Sequence, residues 1–224
     1  MRRYLIPLIF GFGGFAVLVS LGLWQLQRLE WKQGVLGEIE ARIGDDPIPV
    51  PKVTDPETDR YLPVRVNGSF TGDSVRVLVS VKGRGAGYRI VSAYLLDDER
   101  LIMVDEGFVD LEEPAQPGAA DNVSVVGNLH WPVEVDRWTP EPDLSKGLFY
   151  ARDVEVLASV LGTEPLLIVA RTVSGTDARA TPLPVTTEGI PNDHLGYAIQ
   201  WFGLATVWLG MTLFLLWRIR NRTV

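Results

Sequence analysis

Long apolar runs occupy both ends of the chain, and between them the spacing of apolar residues changes from that of helices to that of strands. Tyr4 to Leu23 is a run of 20 residues without a charge, and Leu195 to Trp217 is a second run of 23. At about 1.5 Å rise per residue, a 20-residue helix reaches roughly 30 Å, the thickness of a bilayer's hydrocarbon core. The pattern therefore predicts transmembrane helices over 4–23 and 195–217. The alternative for the first run is a cleaved signal peptide, but the run is long and no small-x-small site follows it. It leads instead to Trp24, Gln25, Arg28 and Trp31, residue types that anchor helices at the membrane interface. The alternative for the second is a buried helix in a soluble core, and a segment apolar on every side fits that poorly.

Residues 24–46 read as a helical extension and linker. Leu26, Leu29, Val35, Leu36, Ile39 and Ile43 keep near-helical spacing until Gly44 and the prolines at 47, 49 and 51. The period then shortens. Tyr61 to Phe70, Val75 to Val81, Gly87 to Leu96, Leu101 to Val109, Val123 to Trp131 and Leu166 to Val173 are short, rich in β-branched residues and separated by turn residues. One helix interrupts them, with Asp153 as N-cap, Val154, Leu157, Ala158 and Leu161 on one face, and Gly162 past its end. The expected fold is thus a mostly antiparallel β domain (α+β) over 47–193, flanked by two transmembrane helices, with 218–224 as a basic tail. Residues 174–191 read as a loop returning to the membrane.

Charge orients this arrangement. Arg2 and Arg3 precede the first span and Arg218, Arg220 and Arg222 follow the second, so the positive-inside rule puts both tails in the cytoplasm. All 28 acidic residues but only 15 of the 21 basic ones lie between Glu30 and Asp193, a balance of −13 against −7 for the whole chain. Such a surface disfavours nucleic acid and anionic headgroups, which leaves membrane lipid as a partner of the spans alone. Three residues before the first span leave no room for a transit peptide, so the expected setting is a bacterial inner membrane, with the large domain in the periplasm.

The absence of cysteine excludes a disulfide framework, a zinc ribbon, a thiol nucleophile and copper–thiolate ligation. Two histidines exclude a multi-histidine metal site, and no nucleophile–base pair is visible, so an enzyme is not expected. Gly83-Arg84-Gly85-Ala86-Gly87 lacks the spacing and following helix of a dinucleotide loop and reads as a hairpin turn. Asp97-Asp98-Glu99 and Glu112-Glu113 read as solvated turns, and His130 as a structural residue in a strand beside Trp131.

His194 stands at the start of the second span. A titratable group there points to function, and an interfacial imidazole solvated by headgroups is the alternative. At about 100° per residue, Tyr197, Ala198, Trp201, Ala205 and Trp208 share its face, while Gly196, Gly203 and Gly210 lie opposite. Those glycines recur every seven residues, as do Gly13 and Ser20 on the first span. This spacing predicts left-handed packing through the glycines, with the histidine and rings turned away from the first helix. Such a face suits a flat, apolar, iron-containing ligand with a neutral imidazole as axial ligand. Aromatic girdling at the lipid boundary is the other reading.

The first span ends Leu21-Gly22-Leu23-Trp24-Gln25-Leu26-Gln27-Arg28-Leu29-Glu30-Trp31-Lys32, and the second opens Pro191-Asn192-Asp193-His194-Leu195-Gly196-Tyr197-Ala198-Ile199-Gln200-Trp201-Phe202. Between them come Pro63-Val64-Arg65-Val66-Asn67-Gly68-Ser69-Phe70, Gly87-Tyr88-Arg89, Gly127-Asn128-Leu129 and the Arg152-Asp153 helix. In this order the segments resemble the surfeit locus protein 1 family over nearly the whole chain, most specifically at the two ends. Trp24, Gln25, Arg28, Trp31, Gly68, Tyr88 and Asn192 fall on its motifs. Two departures stand out: Asp105-Glu106-Gly107-Phe108 replaces the family's usual Asn-Arg-Gly-Trp, reversing a charge, and Asp193 replaces a common asparagine. The resemblance implies a non-enzymatic assembly factor for cytochrome c oxidase that helps haem a reach subunit I, with a haem a synthase as a further partner. His194 matches the histidine through which some bacterial members bind haem a, and Tyr197, Trp201 and Trp208 would line that site. A scaffold that stabilises an assembly intermediate without binding haem is the alternative. A membrane sensor fits less well, because only seven residues follow Trp217.

Overall fold

The protein is described here by a computed structural model covering residues 2–112, 118–177, 179–188 and 190–221. Glu113 and Arg222 of the features above lie outside the described residues, as do the side chains of Arg2 and Arg3. The chain divides into two units, Ile39–Thr186 and the paired terminal segments Met1–Glu38 and Thr187–Val224.

The central unit carries strands β1 (Ile48–Pro49), β2 (Pro63–Val81), β3 (Gly85–Leu96), β4 (Leu101–Asp110), β5 (Ala120–Leu129), β6 (Leu148–Phe149) and β7 (Leu167–Ser174), with helix α2 (Val154–Leu161) before β7. The two strands expected over 61–70 and 75–81 are one. Within β2 a register shift between Phe70 and Ser74, at Gly72 with φ +99°, bends the strand. Its first half pairs with β5, from Pro63 opposite Asn128 to Phe70 opposite Ala120, and its later part pairs with β3, ending at Val81 opposite Gly85. Pairings β2–β3, β3–β4, β4–β7, β7–β5 and β5–β2 close a five-stranded ring.

The sheet is mixed, which corrects the expectation of a mostly antiparallel domain. β1–β2, β2–β6 and β4–β7 are parallel pairs. Short connections do make β2–β3 and β3–β4 antiparallel. The expectation failed where the connection is long: after β5 the chain passes through α2 and re-enters between β4 and β5, antiparallel to one and parallel to the other. A second correction is small: β5 ends at Leu129, so His130 lies just beyond the strand.

Strand alternation sorts the core into two clusters. Val64, Phe70, Tyr94, Ile102, Val104, Val125, Leu129 and Ile168 pack together in one. Neighbouring residues of opposite parity, Val91, Met103, Leu167 and Val169, pack with Phe149 and with Val154, Leu157 and Ala158 of α2. β4 and β7 are thus buried on both faces, which is why Leu101–Val104 and Leu167–Ala170 read as unbroken apolar runs. α2 is fixed at both ends: the Asp153 carboxylate accepts from Glu155 N at 3.1 Å and Val156 N at 3.2 Å, and Gly162 closes the helix with φ +68°.

The terminal unit contains helix α1, Arg2–Gly44, as far as Glu38, and helix α3, His194–Asn221. Each is long and apolar enough to cross a membrane. Their contact reverses the expectation for the glycines. A Cβ on Gly13, Gly196, Gly203 or Gly210 would meet nothing within 4 Å. A Cβ on Gly14 would lie 2.6 Å from the Trp208 indole and one on Gly22 2.6 Å from the Phe202 ring, while one on Gly11 would collide with Thr212. On α3 the buried residues are Ala198, Ala205 and Thr212. They are also seven apart, so the period is the expected one, carried by alanine and threonine on the face that holds His194. Small size, not glycine itself, is what close packing requires. Gly14→Leu should therefore separate the helices and lower accumulation of the protein, and Gly203→Leu should leave both unchanged. Cross-linking between cysteines placed on the two helices measures the difference.

Candidate functional site

α3 begins at His194, and that position brings the imidazole beside α1. His194 Nδ1 lies 2.8 Å from Oε1 of Gln25, which stands just past the uncharged run of α1. One turn further on, Arg28 covers the Trp31 ring at 3.9 Å, and two turns on, Lys32 donates to the Pro191 carbonyl. Asn192 Oδ1, between Pro191 and His194, is buried without a hydrogen-bond partner among the described residues. Trp24 and Trp31 are exposed, as suits rings with an apolar body and a polar edge at a lipid–water boundary.

The three rings assigned to the His194 face diverge. Tyr197 is half exposed and Trp201 partly buried. Trp208 donates its indole N–H to the Gly11 carbonyl at 2.9 Å, so it is committed to α1. It also lies about 21 Å along the helix axis from His194, at 1.5 Å per residue. His194 and Trp208 thus face the first helix, Trp208 belongs to the helix contact, and Tyr197 is left half exposed. His194, Tyr197 and Trp201 remain as a group at the head of α3.

A second concentration of polar groups lies in the central unit. Asp105 and Glu106, adjacent on β4, are fully buried. Asp105 accepts from Arg89 on β3, from Arg152 at 3.0 Å, and through Oδ1 from Gly107 N at 3.1 Å. Arg152 is also paired with Glu134. Glu106 accepts from Arg179 at 2.7 Å and from the Ser92 hydroxyl. Arg89 further donates to the Leu183 carbonyl at 3.0 Å, and Thr181 bridges to Phe108, so the return segment is held against β3 and β4.

Compared with known proteins, the chain matches the SURF1 family over residues 13–206, from the first helix through the sheet domain into α3. It belongs to the SURF1 family. Surfeit locus protein 1 of Homo sapiens is 29% identical over 214 residues, covering 83% of this chain and 69% of the human protein. That of Rattus norvegicus is 30% identical, with 84% and 69% covered. A SURF1-like protein of Rickettsia bellii is 28% identical over 221 residues, covering 94% of this chain and 88% of its own length.

Several SURF1-family motif residues have structural work. A Cβ on Gly68 would collide with the Leu95 carbonyl, so its close strand approach admits only glycine. Tyr88 on β3 lies under the Arg76 guanidinium at 5.2 Å. The departure at 105–108 has a physical account here: Glu106, where the family usually carries arginine, finds its counter-charge in Arg179. Gly107 keeps its place because φ is +119° and a Cβ would collide with the Thr181 carbonyl.

His130 stacks on Tyr61 with ring centroids 5.5 Å apart and has a buried Nδ1 without a partner among the described residues. Burial, and then the positive charges of Arg152 and Arg60, push its pKa from 6.5 down to about 4, against a smaller opposing effect of Glu134. Between those values the ring is neutral in the fold and protonated in the unfolded chain. Stability is therefore full above pH 6.5 and falls as the pH drops towards 4, by on the order of 2–3 kcal/mol in all. His130→Gln should flatten that part of the pH–stability curve, which thermal unfolding between pH 7 and 4 measures.

Sequence reading missed the Gln25–His194 pair and the Asp105–Arg network. Gln25 was visible as a motif residue, and a polar side chain just past the end of one uncharged run and just before the start of the other was the available signal. The partners of Asp105 and Glu106, namely Arg89, Arg152 and Arg179, come from three separate segments, and no spacing rule connects them.

Proposed function

We propose that this protein is an assembly factor for cytochrome c oxidase in a bacterial inner membrane, crossing it through α1 and α3 with the sheet domain in the periplasm, and that it holds haem a through His194 for delivery to subunit I. The observation that carries the reading is the imidazole at the head of α3, hydrogen-bonded through Nδ1 with no partner on Nε2 among the described residues. That donor set fits a haem: one ring nitrogen is engaged by the protein, and the other would be left to ligate iron. Tyr197 and Trp201 would shield the macrocycle, and Trp208 has no part in holding it. Haem a, if bound, would supply the iron that this imidazole would ligate. The chain's own residues hold the imidazole at the head of α3 through the Gln25 side chain. Membership of the SURF1 family supports the assembly role, as does the resemblance of the two helix ends.

The test is a visible spectrum of the full-length protein purified from cells that make haem a. A Soret band stoichiometric with protein supports the reading, and protein without haem that still sustains oxidase assembly favours a scaffold of an assembly intermediate. A reporter fused after Val224 should be active only in the cytoplasm, and periplasmic activity would reverse the orientation.

A further inference from the structure

The two helices meet where α1 carries Gln25 and α3 carries His194, two side chains joined by a directed hydrogen bond. His194 Nδ1 and Gln25 Oε1 are 2.8 Å apart, on helices packed through Gly11, Gly14 and Gly22 against Thr212, Trp208 and Phe202. An amide oxygen only accepts, so the proton in this bond is carried by Nδ1. A neutral imidazole with its proton on Nδ1 has its lone pair on Nε2. The ring is partly buried, so this bond is retained where water competes poorly.

We infer that Gln25 is a positioning residue for His194: its side-chain oxygen accepts the Nδ1 proton, holds the ring's rotation, and leaves Nε2 as the ligating atom. The inference rests on the haem-ligand reading for its functional meaning, while the tautomer is a property of this chain alone. Residues that orient a ligating histidine act through the nitrogen the metal does not use, and their loss typically weakens binding about 10–100-fold. The arrangement also explains why the signature at the end of the first span has a glutamine beside its tryptophan. Trp24 is exposed towards the surroundings, whereas Gln25 is turned to the other helix.

The first measurement needs no haem. In full-length protein labelled with 15N-histidine and held in lipid nanodiscs, His194 should show a protonated Nδ1 and a bare Nε2, and Gln25→Leu should move the proton to Nε2. A wild-type ring protonated on Nε2, or a tautomer unmoved by Gln25→Leu, overturns the inference. The second measurement uses protein loaded with haem a. Gln25→Leu should weaken haem binding about 10-fold or more and raise the midpoint potential, because a ligand that loses its acceptor becomes less basic. Gln25→Glu keeps an acceptor and should restore binding with a potential below that of the wild type. It also separates a folding defect from loss of the bond. If His194→Ala abolishes haem binding while both Gln25 variants keep wild-type affinity and potential, the positioning role is wrong and the ligand reading stands. If His194→Ala leaves haem binding unchanged, the ligand reading falls and the inference falls with it.

Discussion

Asp105→Ala is expected to destabilise the sheet domain by about 3–5 kcal/mol, the usual cost of removing one partner from a buried ion pair. The carboxylate is fully buried and accepts from two guanidinium groups that are themselves only 12% and 11% exposed. Without it, Arg89 and Arg152 face each other in the interior, and Gly107 N loses its acceptor. Arg152 keeps Glu134, whose carboxyl feels burial raising its pKa but is held below the ordinary value by the hydrogen bonds and charge of Arg152. The stranded cation is therefore Arg89. Adding Arg89→Met to Asp105→Ala should recover part of the loss, because it removes the unpaired charge instead of the pair's benefit. Thermal unfolding of the full chain in detergent measures both. Lys146→Ala is the control: that ammonium pairs with Asp143 while 71% exposed, and its loss should change nothing measurable. An Asp105→Ala variant as stable as the wild type would show that the network contributes nothing.

The same network marks where sequence reasoning stopped. Strands β3, β4 and β7, helix α2 with its Asp153 cap, and the two terminal helices could be read because each is specified locally, by period, turn residues and capping. The parallel insertion of β7 could not, since it depends on where a long connection returns. Nor could the meaning of Asp105-Glu106, because the partners Arg89, Arg152 and Arg179 are 16, 47 and 73 residues away in sequence. The helix contact was half legible. A seven-residue period of small side chains was the right rule, but it runs through Ala198, Ala205 and Thr212, and the glycines that satisfied it face open space.

That correction sharpens the last expectation. His194→Ala should abolish haem a binding, or strongly shift the haem spectrum, while the central unit keeps its thermal transition, since His194 lies outside Ile39–Thr186. The effect should be large because the rest of the group at the head of α3, Tyr197 and Trp201, offers apolar contact but no nitrogen ligand for iron. His130→Ala removes the chain's other imidazole, which stacks on Tyr61 in the central unit, and should leave the haem spectrum unchanged. Trp208→Leu separates the two roles that one helix face had suggested: it breaks the bond to the Gly11 carbonyl and should loosen the helix pair without altering the Soret maximum. A correctly folded His194→Ala protein that retained haem a with unchanged affinity and an unchanged Soret band would remove the ligand assignment. The hydrogen bond at the head of α3 would then serve only to join two helices, and a scaffold for an assembly intermediate would be the better account of the chain.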